Sequence, residues 1–109
     1  MNRWDVYWAD FPYEEDPAQL KRRPVVVAYD NTVYTIGMRV TSQPPRAYDP
    51  YDYPLKYWQE AGLSEASVVR VRKLAQLKPD AIHDRIGRLA DADIIEIIKL
   101  MKLYKANRR

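Results

Sequence analysis

The stretch KRRPVVVAY at residues 21–29 joins a basic turn to a run of β-branched side chains. β-Branched residues are enriched in strands, and proline is accepted at the first residue of a strand. The stretch therefore predicts a strand that begins at Pro24 and directly follows Arg23. Cations at the end of a strand are suited to binding a polyanion, so this stretch points to RNA.

Strands are predicted at four other places, where β-branched and aromatic residues alternate or cluster between turn signals. They are residues 4–9, 32–41, 67–77 and 82–86. In the first of them Trp4, Val6 and Trp8 fall on one face, because successive side chains of a strand alternate. The turn signal at Asp30-Asn31 predicts that the second and third strands form a hairpin.

Two helices are predicted, a short one at residues 55–61 and a long one from Asp91 onward. Gly62 is a common terminator for the first. The polar residues of the second recur at every third position, so they slip about 60° per repeat and leave apolar surface on most sides. We expect a second subunit or another partner to cover that surface. Short strands followed by one long helix predict a compact β-barrel with appended helices, in a single domain over residues 1–109.

Composition and charge narrow the class of protein. The chain of 109 residues carries 18 Lys and Arg against 15 Asp and Glu, with cations clustered at residues 21–23, at residues 70–73 and in the C-terminal tail. Segregated charge of this kind fits a nucleic-acid-binding face. The absence of cysteine excludes disulfides and fits a reducing cytoplasm. With no signal sequence and no apolar run near roughly 20 residues, a cytoplasmic protein without membrane contact is expected.

Arg23 is the leading candidate for catalysis, and Arg22 beside it is a candidate for RNA binding. A guanidinium presents a flat array of donors that matches phosphate oxygens. Thr41, Ser42 and Gln43 supply hydroxyl and amide donors at the end of the third strand, and such donors can stabilise charge on a phosphorane. Ser and Thr are also frequent in ordinary turns, so the residues alone leave both interpretations of this cluster open.

Arg70 and Arg72 are candidates for binding the RNA backbone. They lie two positions apart on the predicted fourth strand, so both are expected to project to one face, roughly 6.6 Å apart. A strand face that merely carries surface charge is the equal alternative. No metal site and no cofactor are predicted, because His83 is the only histidine and the acids at residues 14–16 are typical of a solvated loop.

Six short motifs follow one another along nearly the full length of the chain. They are Asp5-Val6-Tyr7-Trp8-Ala9-Asp10-Phe11-Pro12, Arg23-Pro24-Val25-Val26-Val27, Val40-Thr41-Ser42-Gln43, Ala61-Gly62-Leu63, Val71-Arg72-Lys73-Leu74 and Ile86-Gly87-Arg88-Leu89. Their order resembles that of the MazF/PemK toxin family.

The resemblance implies an SH3-like β-barrel homodimer that cleaves single-stranded RNA without metal and is neutralised by a cognate antitoxin. The implied products are 2′,3′-cyclic phosphate and 5′-hydroxyl ends. The resemblance assigns catalysis to Arg23 and Thr41, and the basic strand position to Arg72 with Arg70 beside it. The chain departs from the family in the loop before Arg23, and at Arg39, where many members have proline.

Two other functions stay open at this point. A barrel of the same fold that binds RNA or protein without turnover would leave no cyclic phosphate. A toxin that acts on DNA gyrase through a tryptophan-containing C-terminus is less favoured, because this chain ends in Lys105-Ala106-Asn107-Arg108-Arg109.

Overall fold

The structure, a computed structural model, describes residues 1–107; Arg108 and Arg109 of the basic tail lie outside the described residues. The described residues form six strands, a short 3-10 helix at Pro79–Ala81 and one α-helix. The strands are β1 (Asp5–Pro12), β2 (Leu20–Asp30), β3 (Thr35–Thr41), β4 (Asp52–Pro54), β5 (Val68–Leu77) and β6 (Ile82–Arg88), and the helix is α1 (Asp91–Asn107). The five predicted strands and the C-terminal helix are confirmed, but β2 begins at Leu20 and not at the predicted Pro24. Arg23 therefore lies within β2, because the basic segment before Pro24 pairs with the second half of β1. The short strand β4 was not predicted.

The strands form one antiparallel sheet in the order β4-β5-β3-β2-β1-β6. The predicted hairpin of β2 and β3 is confirmed, and so is the predicted class, mainly β with a C-terminal helix. Among residues 1–107 the edge strands β4 and β6 do not pair with each other. The sheet is therefore not closed into a hydrogen-bonded barrel.

The short helix predicted for residues 55–61 is wrong, because this segment forms a single turn. The amide of Gly62 donates to the carbonyl of Gln59 at 3.0 Å, and the amide of Leu63 donates to the carbonyl of Trp58 at 3.1 Å. Two such bonds around a residue with positive φ, here Gly62 at 91°, form the Schellman motif that ends helices. The glycine acts as predicted, but it ends the segment after one turn.

A buried carboxylate, Asp93 of α1, fixes the other end of this turn. Its oxygens accept hydrogen bonds from the amides of Lys56 at 3.1 Å and Tyr57 at 3.0 Å, and from the Tyr53 hydroxyl at 2.6 Å. Burial and the carboxylate raise the pKa of Tyr53 above its ordinary value. Because the chain is tied to α1 at Lys56 and turns back at Gly62, there is room for only one turn between them.

The two faces of the sheet carry different cores. The main core lies between one face and α1, and its most buried side chains include Val6, Val26, Met38, Val40, Val69 and Ile97. A smaller cluster on the other face contains Ala9, Phe11, Val25 and Leu77. Trp4 belongs to the main core with Val6, whereas Trp8, predicted on the same face, is 41% exposed.

The helix α1 buries one side and leaves apolar residues exposed elsewhere, as its winding polar stripe predicted. Ile94 and Ile97 are buried in the main core, whereas Ile95 and Leu103 are 54% and 49% exposed. Within residues 1–107, no helix combines the length and the apolar character needed to cross a bilayer.

Candidate functional site

A cavity of about 370 Å³ opens at the ends of β2 and β3. The predicted site residues in its lining are Arg22, Arg23, Thr41, Ser42 and Gln43. Trp8, Arg39 and Glu65 also contribute to the lining. Five of the seven predicted residues therefore come together at one end of the sheet.

Strand pairing explains how Arg23 and Thr41 meet. β2 and β3 are antiparallel, with Val25 opposite Arg39. Arg23 and Thr41 lie two residues beyond this pair on their strands, so both are on the face that Val25 and Arg39 share. The hairpin thus brings the two predicted catalytic side chains to one cavity.

Arg23 is held in a buried position at the cavity. Its residue exposure is only 8%, and its Nε atom is buried without a hydrogen-bond partner in residues 1–107. Burial lowers the pKa of Arg23, the charge of Arg70 lowers it further, and Tyr13 and Glu15 act in the opposite sense. Arg23 therefore lines the cavity with its Nε donor unsatisfied by any of residues 1–107.

Thr41 is positioned to donate a hydrogen bond. Its Oγ1 accepts the backbone amide of Gln43 at 3.2 Å. A hydroxyl that already accepts one bond keeps its single hydrogen free to donate. Ser42 and Gln43 are exposed beside it, so this strand end presents hydroxyl and amide donors to solvent.

Two more arginines lie beside Arg23, and we call Arg23, Arg39 and Arg70 the unpaired arginine cluster. Arg39 on β3 is directly opposite Arg70 on β5, and Arg70 is 6% exposed. The Nε atoms of all three are buried without a hydrogen-bond partner, and no ion pair of residues 1–107 includes them. Burial lowers the pKa of Arg39, and the charges of Arg23 and Arg70 lower it further.

The sequence analysis predicted that Arg70 and Arg72 project to one face of their strand. In the structure they do not share an open face of β5. The pairing of β3 with β5 shifts register between Met38 and Arg39. Such a shift marks a bulge, which changes the direction of side chains along the bulged strand. Arg70 is consequently buried opposite Arg39, and Arg72 points into another group of charges. The cavity lining, taken over residues 1–107, includes neither side chain.

That other group is the paired arginine cluster, made of Arg46, Arg72, Asp49 and Asp52. Arg46 lies 2.9 Å from a carboxylate oxygen of each aspartate, and Arg72 Nε lies 2.6 Å from Asp49 Oδ2. Both carboxylates are almost fully buried, at 1% and 0% side-chain exposure. Burial raises the pKa of Asp52, but the hydrogen bonds from Arg46 outweigh burial and hold the pKa below its ordinary value.

The loop between β1 and β2 brings acids close to the unpaired arginine cluster. Glu14 forms an ion pair with Lys73 on β5. The charges of Glu15 and Glu14 raise the pKa values of Arg23 and Arg39 respectively, without offsetting the effect of burial. The loop before Arg23 is thus next to the candidate site.

Arg22 is exposed and takes part in a surface cluster with Asp10 and His83. Its guanidinium lies 3.5 Å from Asp10 and 3.1 Å from Nε2 of His83, which in turn lies 3.0 Å from Asp10. The hydrogen bond with His83 holds the pKa of Asp10 below its ordinary value. Arg22 is therefore partly engaged, unlike Arg23 beside it.

Arg39 is the residue of this site that the sequence analysis did not select. A signal was present, because Arg39 lies two positions before Thr41 and the period of a strand puts both on one face. The position of Arg39 opposite Arg70 could not be predicted, because no sequence pattern indicates the register shift between β3 and β5.

Comparisons with known proteins identify a matching family model and solved structures with a similar fold. The family model described as "PemK-like, MazF-like toxin of type II toxin-antitoxin system" matches residues 2–104. No curated protein matches the chain. An endoribonuclease in complex with its cognate antitoxin from a mycobacterial species is 17% identical, with 100% of this chain and 98% of that chain covered and a TM-score of 0.73.

Two structures from Deinococcus radiodurans are also similar. MazF is 16% identical, with 97% of this chain and 96% of that chain covered and a TM-score of 0.75. A MazE-MazF structure is 20% identical, with 96% of each chain covered and a TM-score of 0.69. At these identities the likeness establishes the fold.

Proposed function

Because the chain belongs to the family of PemK-like, MazF-like toxins of type II toxin-antitoxin systems, we propose that it is an endoribonuclease acting on single-stranded RNA. The observation that carries the proposal is that Arg23 and Arg39 of the unpaired arginine cluster line one cavity together with Thr41. Buried guanidinium groups without acidic partners are suited to a polyanion. Proteins of the same fold include two named as endoribonucleases.

The proposed reaction is a transesterification within the RNA backbone. The ribose 2′-oxygen bonds to the adjacent phosphorus, and the bond from phosphorus to the 5′-oxygen breaks. The 2′-hydroxyl loses a proton, and the departing oxygen gains one. The products are a 2′,3′-cyclic phosphate and a 5′-hydroxyl. The proposal requires neither a metal ion nor a cofactor, because guanidinium charge supplies the electrostatic stabilisation.

Each predicted residue has a role in this proposal. Arg23 neutralises the phosphorane with its fork of donors, and Thr41 donates a hydrogen bond to the same centre. The residues proposed to hold the RNA strand are Ser42, Gln43, Arg22, Arg70 and Arg72. Among these, Arg70 acts from its position opposite Arg39 on the neighbouring strand, and Arg72 acts from the paired arginine cluster outside the cavity.

Incubation with a long unstructured RNA and a chelator, followed by analysis of the product ends, tests the proposal. We expect cyclic phosphate ends from the wild type and none from a folded Arg23→Ala variant. DNA of the same sequence lacks the 2′-hydroxyl and should bind without being cut. Lys99→Gln, which removes an exposed charge on α1, is the control with wild-type activity. Undiminished cleavage by folded Arg23→Ala would end the catalytic proposal.

A second candidate function, RNA binding without turnover, is supported by the acidic loop between β1 and β2. Glu14 and Glu15 bring negative charge close to the arginines that would receive phosphate. A protein of this kind would bind single-stranded RNA with the usual dependence on salt. It would yield no cyclic phosphate in the same incubation, which separates the two functions.

We also propose a cognate antitoxin, a homodimer and a cytoplasmic site of action. The antitoxin is supported by the similar structures described as complexes with an antitoxin or with MazE. The homodimer is supported by the exposed Ile95 and Leu103 on α1. Light scattering at micromolar concentration tests the dimer, and a monodisperse monomer would contradict it. Co-purification with the product of a small acidic neighbouring reading frame tests the antitoxin.

A further inference from the structure

Arg39 occupies a distinct position within the unpaired arginine cluster. Arg39 lies between Val25 of β2 and Arg70 of β5 in one row across the sheet. Arg23 and Thr41 are two residues away from this row along β2 and β3. Rows two residues apart are separated by roughly 6.6 Å along a strand. This separation is on the scale of one nucleotide of an extended single strand lying in a basic groove.

Among residues 1–107 no acid forms an ion pair with Arg39, and Glu65, the acid in the same cavity lining, is exposed. Glu14, whose charge acts on Arg39, is held in an ion pair with Lys73. Asp49 and Asp52 are both bonded to Arg46. Arg39 lines the cavity, and its buried Nε donates no hydrogen bond to any atom of residues 1–107. Arg39 therefore presents to the cavity a cation that no ion pair of the described residues neutralises, and such a guanidinium is suited to an anionic ligand.

We propose that Arg39, supported by the buried Arg70 opposite it, binds a second RNA phosphate next to the one held by Arg23 and Thr41. This inference rests on the proposed function, and it deepens that function by naming a two-phosphate site. Arg39 is thereby a binding residue that sets the position of the strand, while Arg23 and Thr41 contact the reacting phosphate.

In the free protein, the charge of Arg39 is expected to be destabilising. Three guanidinium groups packed together repel one another, and burial disfavours their charge. Removal of Arg39 should therefore leave the free protein as stable as the wild type or more stable. A residue whose role was structural would have the opposite effect, because its loss would lower the melting temperature.

Thermal unfolding with inorganic pyrophosphate tests the anion site without any turnover. Pyrophosphate should raise the melting temperature of the wild type, because a ligand that binds the folded state stabilises it. The matched control Lys99→Gln, which removes a cation from α1, should show the same rise. Arg39→Gln should show less than about half of it. An equal rise in Arg39→Gln, or a lower melting temperature without pyrophosphate, would overturn the proposal.

Binding of a DNA oligonucleotide tests the strand site. Arg39→Gln should weaken binding about tenfold and reduce the slope of log K against log salt by about one, as expected for one lost phosphate contact. Unchanged affinity and slope would overturn the proposal. Arg39→Met replaces Arg39→Gln if the latter does not fold. If neither variant folds, Arg39 is structural and the proposal fails.

Cleavage kinetics separate this proposal from the proposed function. With RNA, Arg39→Gln should raise KM more than it lowers kcat, whereas Arg23→Ala should abolish kcat. A wild type that binds DNA but never yields cyclic phosphate would contradict cleavage, and a binding loss in Arg39→Gln would still support the phosphate site. A wild type that binds neither nucleic acid would overturn both.

Discussion

The unpaired and the paired arginine clusters lie close together but differ in whether their buried charges are neutralised by ion pairs. In the paired cluster, Arg46 and Arg72 are bonded to two buried aspartates. In the unpaired cluster, three guanidinium groups leave Nε donors unused. Burying a charge is costly unless it is paired, so buried cations that form no ion pair among residues 1–107 are suited to an anionic ligand.

We infer that the paired cluster contributes to stability and that the unpaired cluster binds the ligand. The paired cluster joins the segment before β4 to β5, because Arg46, Asp49 and Asp52 precede or begin β4 and Arg72 lies on β5. The unpaired cluster places three like charges on β2, β3 and β5, and no ion pair of residues 1–107 includes them. Substitutions in the two clusters should therefore move different observables.

The largest effect is expected for Arg46→Met. This change leaves Asp52 buried without its cation, and breaking a buried pair in this way costs about 3–5 kcal/mol of unfolding free energy. Urea denaturation measures the loss. Arg85→Met, which removes an arginine that is 53% exposed, is the control and should cost less than about 1 kcal/mol. Equal losses in the two variants would remove the distinction between the clusters.

The second prediction concerns the unpaired cluster and uses Arg23→Lys. A point charge cannot reproduce the fork of donors that a guanidinium offers to phosphate oxygens. We expect cleavage to fall by roughly 100-fold or more, with little change in unfolding free energy. Single-turnover cleavage and urea denaturation measure the two quantities, with Arg85→Lys as the control. Retained cleavage together with a large loss of stability would reverse the assignment.

The third prediction is a dependence of stability on low pH that belongs to the paired cluster. Because the pKa of Asp52 is lower in the folded state, the folded state keeps this carboxylate ionised where the unfolded chain, with a pKa of about 3.9, takes up a proton. Its contribution is present above about pH 4 and is lost as pH falls through the folded-state pKa. In Asp52→Asn this part of the pH dependence should disappear, as measured by denaturation at several pH values.

The smallest effect is expected for Arg72→Gln. Its side chain is 34% exposed, and Asp49 keeps its bond to Arg46 when Arg72 is removed. We expect a loss of about 1 kcal/mol or less in unfolding free energy. A loss as large as that of Arg46→Met would show that the two arginines hold the aspartates as one unit.

Several features of the molecule were readable from local sequence patterns. The β-branched run after Arg23 predicted β2, and the turn after it predicted the hairpin with β3. Arg23 and Thr41 were selected by residue type and by their positions at the predicted ends of the second and third strands, although β2 begins three residues before Arg23. The predictions that were wrong concern segments whose structure depends on residues distant in the sequence. The single turn at residues 55–61 depends on the buried Asp93, which lies in a different element.

The sequence by itself determined the strands, the C-terminal helix and the residue types at the ends of β2 and β3, because these depend on neighbours along the chain. Tertiary structure alone decided which arginines are neutralised. Arg70 and Arg72 are two positions apart, yet one is buried opposite Arg39 and the other meets Asp49. The reason is physical: the energy of a buried charge depends on what surrounds it in space, and those groups come from distant parts of the chain.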